Sequence, residues 1–338
     1  MQSNKNMKTT NYLLLAATFI MSLLSVACDD KDEPIPPAPT KETVDVLTKI
    51  PDPVFKKYIQ DILSEYDQDE DGKLSEGEAA DVDQLDLTHW RGNSKIESLQ
   101  GIEYFTGLRI LNCGWNKLAT IDLSKNVKLI KLSCGNNNLS ILNLTNNPEL
   151  KEVLCSDMNL KKLDISKNVE LAKLYCQNNK LETLSFCKES LISELYCRNN
   201  LLKILDLNNT SRLDILDCSI NQLATLNLNE NKWISRLICN NNQLTSLVIG
   251  DNKLVFEVNC SQNQLKTVDT KMCTELGLFY CENNQLQTLN LTFNTCLVEL
   301  KAKENPSLND ICVWRGFSTS EIELFEVPAN VKIIEQDK

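Results

Sequence analysis

Apolar residues recur through most of this chain in one fixed order. Across residues 108–128 they are Leu108, Leu111, Cys113, Leu118, Ile121 and Leu123, with polar residues between them, and the order restarts at Leu129. Leu111 and Cys113 are two apart, as are Ile121 and Leu123, so in extended chain each pair shares a face. Every turn thus offers two short strands with an apolar side. One turn cannot bury that side alone, whereas stacked turns with parallel strands about 4.8 Å apart bury it continuously. A period of this length signals a solenoid.

Cysteine marks the period. Cys113, Cys134, Cys155, Cys176, Cys197, Cys218, Cys239, Cys260 and Cys281 stand 21 residues apart, and Ala302 takes the next place. An inward position with identical neighbours above and below needs a small apolar side chain, which free cysteine and alanine both supply. Disulfides would need Cβ atoms about 3.8 Å apart, closer than neighbouring rungs. Zinc would need clustered ligands at C-x-x-C spacing, which is absent. The column therefore reads as packing. Three residues further on runs a column of asparagine: Asn116, Asn137, Asn179, Asn200, Asn221, Asn242, Asn263, Asn284 and Asn305. A buried amide there can satisfy backbone groups where the chain leaves a strand. Met158 breaks this column and predicts a looser turn. A second column, Asn126, Asn147, Asn168, Asn231, Asn252 and Asn294, closes the other half of the unit, with interruptions at Glu189, Thr210 and Cys273.

The motif L-x-x-L-x-C-x-x-N-x-L resembles the core segment of leucine-rich repeats, and x-x-L-x-L-x-x-N repeats it in shortened form. This is similar to the 21-residue bacterial subclass with nested half-repeats, over residues 82–312. The resemblance implies an α/β solenoid, mostly β: a right-handed stack of about ten turns with two short parallel strands each and a small helical N-terminal cap. It also implies that the first strand lines a concave face whose outward residues contact ligands. The expected segments are a signal at 1–27, a tether at 28–50, the cap at 51–84, repeats at 85–312 and a C-terminal cap at 313–338, folded over the open end.

Lys5, Lys8 and the apolar run 13–24 read as an export signal, too short to span a bilayer comfortably. Leu24, Ser25, Val26 and Ala27 before Cys28 resemble a bacterial lipobox with Cys28 as the lipidated residue; an ordinary cleavage site beside a chance cysteine is the alternative. The acidic cluster at 29–33 resembles the surface-export signal of some Gram-negative lipoproteins, or serves as a solvated spacer. Pro34, Pro36, Pro37 and Pro39 make a stiff tether. The implied location is the outer membrane, facing outward from the cell surface.

Val54, Phe55, Tyr58, Ile59, Ile62 and Leu63 recur at helical spacing in the cap. Residues 67–78 then resemble an EF-hand loop. Asp67, Asp69 and Asp71 are its early carboxylates, Gly72 its turn, Lys73 a carbonyl donor, Ser75 a direct or water-bridged donor and Glu78 the closing bidentate carboxylate. The resemblance implies calcium, and the plain reading is an acidic solvated turn. Ala79 stands where EF-hands carry a larger apolar residue, which with a short exiting helix suggests a single site stapling the cap.

The net charge is −11, and removal of Lys5 and Lys8 with the signal makes it two units more negative. That argues against a nucleic-acid partner. Outside Cys28 and the column, Cys187, Cys273, Cys296 and Cys312 remain; Cys273 and Cys296 sit on adjacent turns and could bridge, and counting from Leu291 places Cys312 inward. The only histidine is His89, in an irregular loop, and no nucleophile motif or phosphate loop is visible, so the chain reads as a non-enzyme. The outward column of the first strands carries Leu154, Tyr175 and Tyr196 on consecutive rungs, flanked by Lys173, Glu194 and Arg198. Tyrosine gives contact area and a hydroxyl at low entropic cost, although strands also favour it without function. The outward acids and amides of the second strands, Asp122, Asn143, Asp164, Asp206, Asn227, Asp269 and Asn290, read as solubility and edge protection. A monomer that binds an extracellular protein is the expectation; glycan capture on the tyrosines and a purely structural envelope role are the alternatives.

Overall fold

The computed structural model describes residues 44–88 and 94–337. The expected signal, Cys28, the acidic cluster, the prolines and His89 lie outside the described residues. The chain from 84 onward is a parallel solenoid. A 12-stranded sheet takes one three-residue strand from each turn, from Gln84–Asp86 to Leu324–Glu326. Its register is in phase: Leu132 pairs with Val153, Leu174 with Leu195 and Leu216 with Leu237. Each pairing puts like on like, and the middle residue of each strand points into the core. All nine column cysteines are free and fully buried, as is Ala302. Burial pushes their thiols well up, Cys134 and Cys260 to about 12.

The first asparagine column is a ladder with one break, at Met158. Asn221 accepts from Leu202 N–H at 3.0 Å and donates to the Cys197 and Cys218 carbonyls at 3.0 and 3.1 Å, so one amide ties two turns together. At Met158 the side chain is buried instead, and among the described residues no side chain serves the Leu139 N–H as Asn137 serves Leu118 and Asn179 serves Leu160.

The back half of the turn is less regular than two strands per turn. Strands form in three separate groups: Lys162–Asp164 with Thr183–Ser185, Thr225–Asn227 with Ser246–Val248, and Thr288–Asn290 with Asp310–Trp314 and Lys332–Gln336. The breaks fall beside the turns that end in Glu189, Thr210 and Cys273, where the second asparagine column is interrupted. The first two back halves are also unpaired, although Asn126 and Asn147 are in place. The outward acids and amides of this half have a structural task. Each of the seven accepts a hydrogen bond from the backbone N–H two residues on, as Asp122 does from Ser124 and Asn290 from Thr292. They form Asx-turns that end the segment, a structural task beside the solubility of these exposed side chains.

Both ends depart from expectation. The cap begins earlier than 51, since Val46 and Ile50 are fully buried and Val46 N–H bonds the Leu74 carbonyl. Helix α1 (Pro53–Ile62) buries Phe55 and Ile59; α2 (Glu76–Asp81) is a short turn and a half. Asp52 joins cap to solenoid: one oxygen caps α1 through Val54 and Phe55, the other accepts from Glu97 and Ser98. At the far end, the segment expected to fold over the stack adds another rung. Leu324–Glu326 pairs in register with Glu299–Lys301, and Lys332–Gln336 with Asp310–Trp314. The period slip after Ala302 also turns Cys312 outward, between buried Ile311 and Val313, so it is half-buried. Cys273 is buried and Cys296 exposed, both free, so the structure carries no bridge there.

Candidate interaction face and acidic loop

In-register parallel strands stack identical positions about 4.8 Å apart, so a column of like charges would repel and an alternating one attract. The long sheet uses this. Outward of the core, Lys131, Glu152, Lys173 and Glu194 occupy one column on four successive turns; Lys131 pairs with Glu152 at 3.1 Å and Lys173 with Glu194 at 2.6 Å. Further along, Arg236 pairs with Glu257 at 2.7 Å. This ladder was readable as Lys and Glu alternating at 21-residue spacing.

The neighbouring column holds Leu154, Tyr175 and Tyr196. The two tyrosine rings stack, with centroids 4.9 Å apart and planes 7° from parallel. The Tyr175 hydroxyl donates to Glu194 at 2.9 Å, so Glu194 receives both the phenol and the Lys173 ammonium. The Lys173 hydrogen bond holds Glu194 below its ordinary range, with Tyr175 assisting. Burial, then Glu194, pushes the Tyr175 phenol up. The result is a half-buried, internally bonded patch: two stacked rings on a charged rail. Leu154 and Lys173 join this patch. Arg198 does not, because it turns to Ser219 at 3.4 Å; burial and then Glu194 raise the Tyr196 phenol, and Arg236 and Lys173 oppose the rise. A second tyrosine–glutamate pair lies near the end of the sheet. Tyr280 donates to Glu299 at 2.6 Å under Lys301, 5.3 Å from its ring centre, and its phenol is pushed up to about 12 by burial and Glu299.

In the cap, Asp67, Asp69 and Asp71 each bring a carboxylate oxygen within 4.8 Å of the others. Asp67 shapes the loop by accepting from the N–H groups of Asp71 and Gly72, and Gly72 takes a φ of +78°. Lys73 pairs with Asp71 at 3.3 Å. Glu78 is not brought to the cluster. With Ser75 it forms a capping box: its oxygens accept from Ser75 N–H and Oγ–H, both at 2.8 Å, and from Gln68 N–H at 2.7 Å. The backbone hydrogen bonds from Ser75 and then Gln68 lower its pKa. Three hard oxygen donors and a Gly-permitted turn fit the chemistry of a calcium loop; the fourth carboxylate serves the helix start.

No protein-family model matches this chain, and no curated protein matches it. Solved structures do. The functional domain of InlJ from Listeria monocytogenes, described as including a cysteine ladder, is similar with a TM-score of 0.63 and 24% identity, over 86% of this chain and 72% of that one. YopM, a leucine-rich effector protein from Yersinia pestis, has a TM-score of 0.53 and 19% identity over 75% and 82% of the two chains. A leucine-rich repeat protein of Leptospira interrogans has 0.52 and 17% over 76% and 86%. The fold is therefore that of the leucine-rich repeat solenoids. These likenesses speak to fold alone.

Proposed function

We propose that this chain is a surface-anchored binding protein that recognises an extracellular protein through the outward, concave face of its long sheet. The carrying observation is the Tyr175–Tyr196 stack bonded to the Lys173–Glu194 pair. Stacked, anchored aromatics lose little entropy on binding, which is how recognition surfaces gain affinity. Rings stacked on each other present edges and hydroxyls outward, which suits a polar protein surface better than the flat face of a sugar. In this reading Cys28 supplies a lipid anchor to the outer membrane and the proline segment a spacer. A binding screen of soluble residues 29–338 against extracellular-protein arrays tests it. A partner lost to Tyr175→Ala/Tyr196→Ala supports the site, and a partner retained by that double variant moves it elsewhere.

The acidic loop, in the same proposal, holds calcium through Asp67, Asp69, Asp71, the Lys73 carbonyl and Ser75, with Glu78 turning out of its capping box to close the site, and the ion staples the cap. Chelation is expected to lower the melting temperature of the wild type and to leave Asp67→Ala unmoved; an unchanged wild type reduces the loop to an acidic turn. Without the ion, the hydrogen bonds from Ser75 and then Gln68 lower the Glu78 pKa, so the stability its capping box contributes is complete above the ordinary carboxylate range and fades as pH falls through that lowered value.

A further inference from the structure

We infer that a groove along the side of the solenoid, walled by Trp233, binds a hexopyranose unit of a neutral glycan. Ser193, Arg212, Asp214, Trp233, Ser235 and Leu254 line a cavity of about 550 Å³, within the size range of small-molecule sites. The residues come from the chain just before the strands of the long sheet, and the period sorts them into two columns. Ser193, Asp214 and Ser235 are half-buried on successive turns, joined rung to rung by backbone hydrogen bonds. Arg212, Trp233 and Leu254 form the exposed column beside them, Trp233 with 62% of its surface open.

One turn beyond Ser235 and outside the lining stands Phe256, also half exposed, whose ring lies over Gly277. A Cβ at 277 would stand 2.3 Å from the Phe256 ring, so glycine is what lets the ring lie down. Elsewhere Ile141 and Ile204 are exposed singly, whereas Trp233, Leu254 and Phe256 cluster on two adjacent turns.

The polar groups decide the ligand. Asp214 accepts from the Ser235 hydroxyl and keeps its second oxygen, and Ser193 Oγ–H donates to the Ala172 carbonyl. Arg212 has no ion-pair partner among the described residues. An apolar side chain pressed onto this floor would desolvate Asp214 without replacing its hydrogen bonds, at high cost. An ion of either sign meets one like charge, Arg212 or Asp214. A neutral pyranose meets neither objection: its hydroxyl edge both donates to Asp214 and accepts from Arg212, while its C–H face lies on the electron-rich face of Trp233. The site is separate from the tyrosine strip and does not rest on the protein-binding proposal.

The test titrates the folded protein with neutral gluco-, galacto- and manno-oligosaccharides, followed by ligand-observed NMR and tryptophan fluorescence. At least one is expected to bind. Trp233→Ala should weaken it roughly tenfold or more, Asp214→Asn several-fold, and Gly277→Ala, which lifts Phe256, by a smaller factor; Tyr175→Ala/Tyr196→Ala should leave it unchanged. Trp233 is exposed, so its loss should not unfold the chain, and a matched melting curve checks that. The assignment fails if no oligosaccharide binds at about 20 mM, weaker than any useful site. It also fails if Trp233→Ala binds like wild type, or if an apolar peptide displaces the sugar and binds the groove more tightly.

Discussion

The front and back of each turn share a period and almost a motif, yet they build different things. The front is one unbroken sheet of 12 strands; the back is three short groups separated by unpaired turns. The difference lies in what each asparagine column completes. In front, the amide uses both ends: Asn200 accepts from Leu181 N–H and donates to carbonyls on its own and the preceding turn. In the back, Asn126, Asn147, Asn168 and Asn231 donate to the preceding turn but leave a buried Oδ1 without a partner among the described residues, while Asn252 and Asn294 accept from the Ile234 N–H and the Thr270 hydroxyl. The back is also closed by Asx-turns local to each turn, which add nothing between turns. Both columns donate across rungs; what the back lacks on most turns is the amide oxygen that accepts a backbone N–H from the preceding turn, and the face that has it carries the tyrosine strip.

The largest separation of the two halves should come from alkali. The thiols of the front column are protonated and buried, while the back carries leucine and isoleucine at its matching inward places. In the unfolded chain thiols ionise above about 8.5, but in the folded chain burial raises them. Stability is therefore complete below that pH and falls as pH rises, by about 1.4 kcal/mol per unit for each thiol. Nine such thiols make the loss on the order of 10 kcal/mol per unit, comparable to the stability of a domain. Urea midpoints at pH 7 and 9.5 should differ sharply, and Cys176→Ala/Cys197→Ala/Cys218→Ala should reduce the slope by about a third.

Single asparagines give the next effect. Asn221→Ala orphans the Leu202 N–H and takes one of two amide donors from each of the Cys197 and Cys218 carbonyls, and should cost about 3 kcal/mol. Asn147→Ala removes two donors but also an unsatisfied oxygen, and should cost about 1–2 kcal/mol. Equal losses in urea melts would dissolve the distinction between the halves. The smallest effect is a gain: Met158→Asn restores the acceptor for Leu139 N–H and should stabilise by about 1 kcal/mol.

Much of the fold was legible because a solenoid writes its geometry as a period. Cysteine at 21-residue spacing predicted burial without bridging, and Ala302 confirmed the size of the slot. Where the period slips, counting failed: Cys312 faces out because one extra residue precedes it. The asparagine doublets hid a second role. In 136–137, 178–179, 199–200, 241–242 and 283–284 the second residue is the ladder and the first takes a positive φ of 53–56°, a conformation asparagine tolerates. Trp115 and Ile220 hold the same conformation at φ 60° and 52° without that tolerance. Of the candidate site, Tyr175 and Tyr196 were visible as a column, but their mutual stacking and the pairing of Lys131 with Glu152 and Lys173 with Glu194 became plain only with the register. The Trp233 groove was missed because it precedes the strands and does not lie on them.

Mass-spectrometric thiol labelling of soluble residues 29–338 tests most directly whether the front sheet is a closed, rigid support for its outward face. Cys296 is exposed and Cys312 half-buried, so the first should label quickly and the second slowly. Cys113 through Cys281 of the column should stay unlabelled until the protein unfolds. Labelling of column cysteines at the rate of Cys296 in the native protein would contradict the account, because a sheet that opens its core cannot hold the tyrosine strip in place.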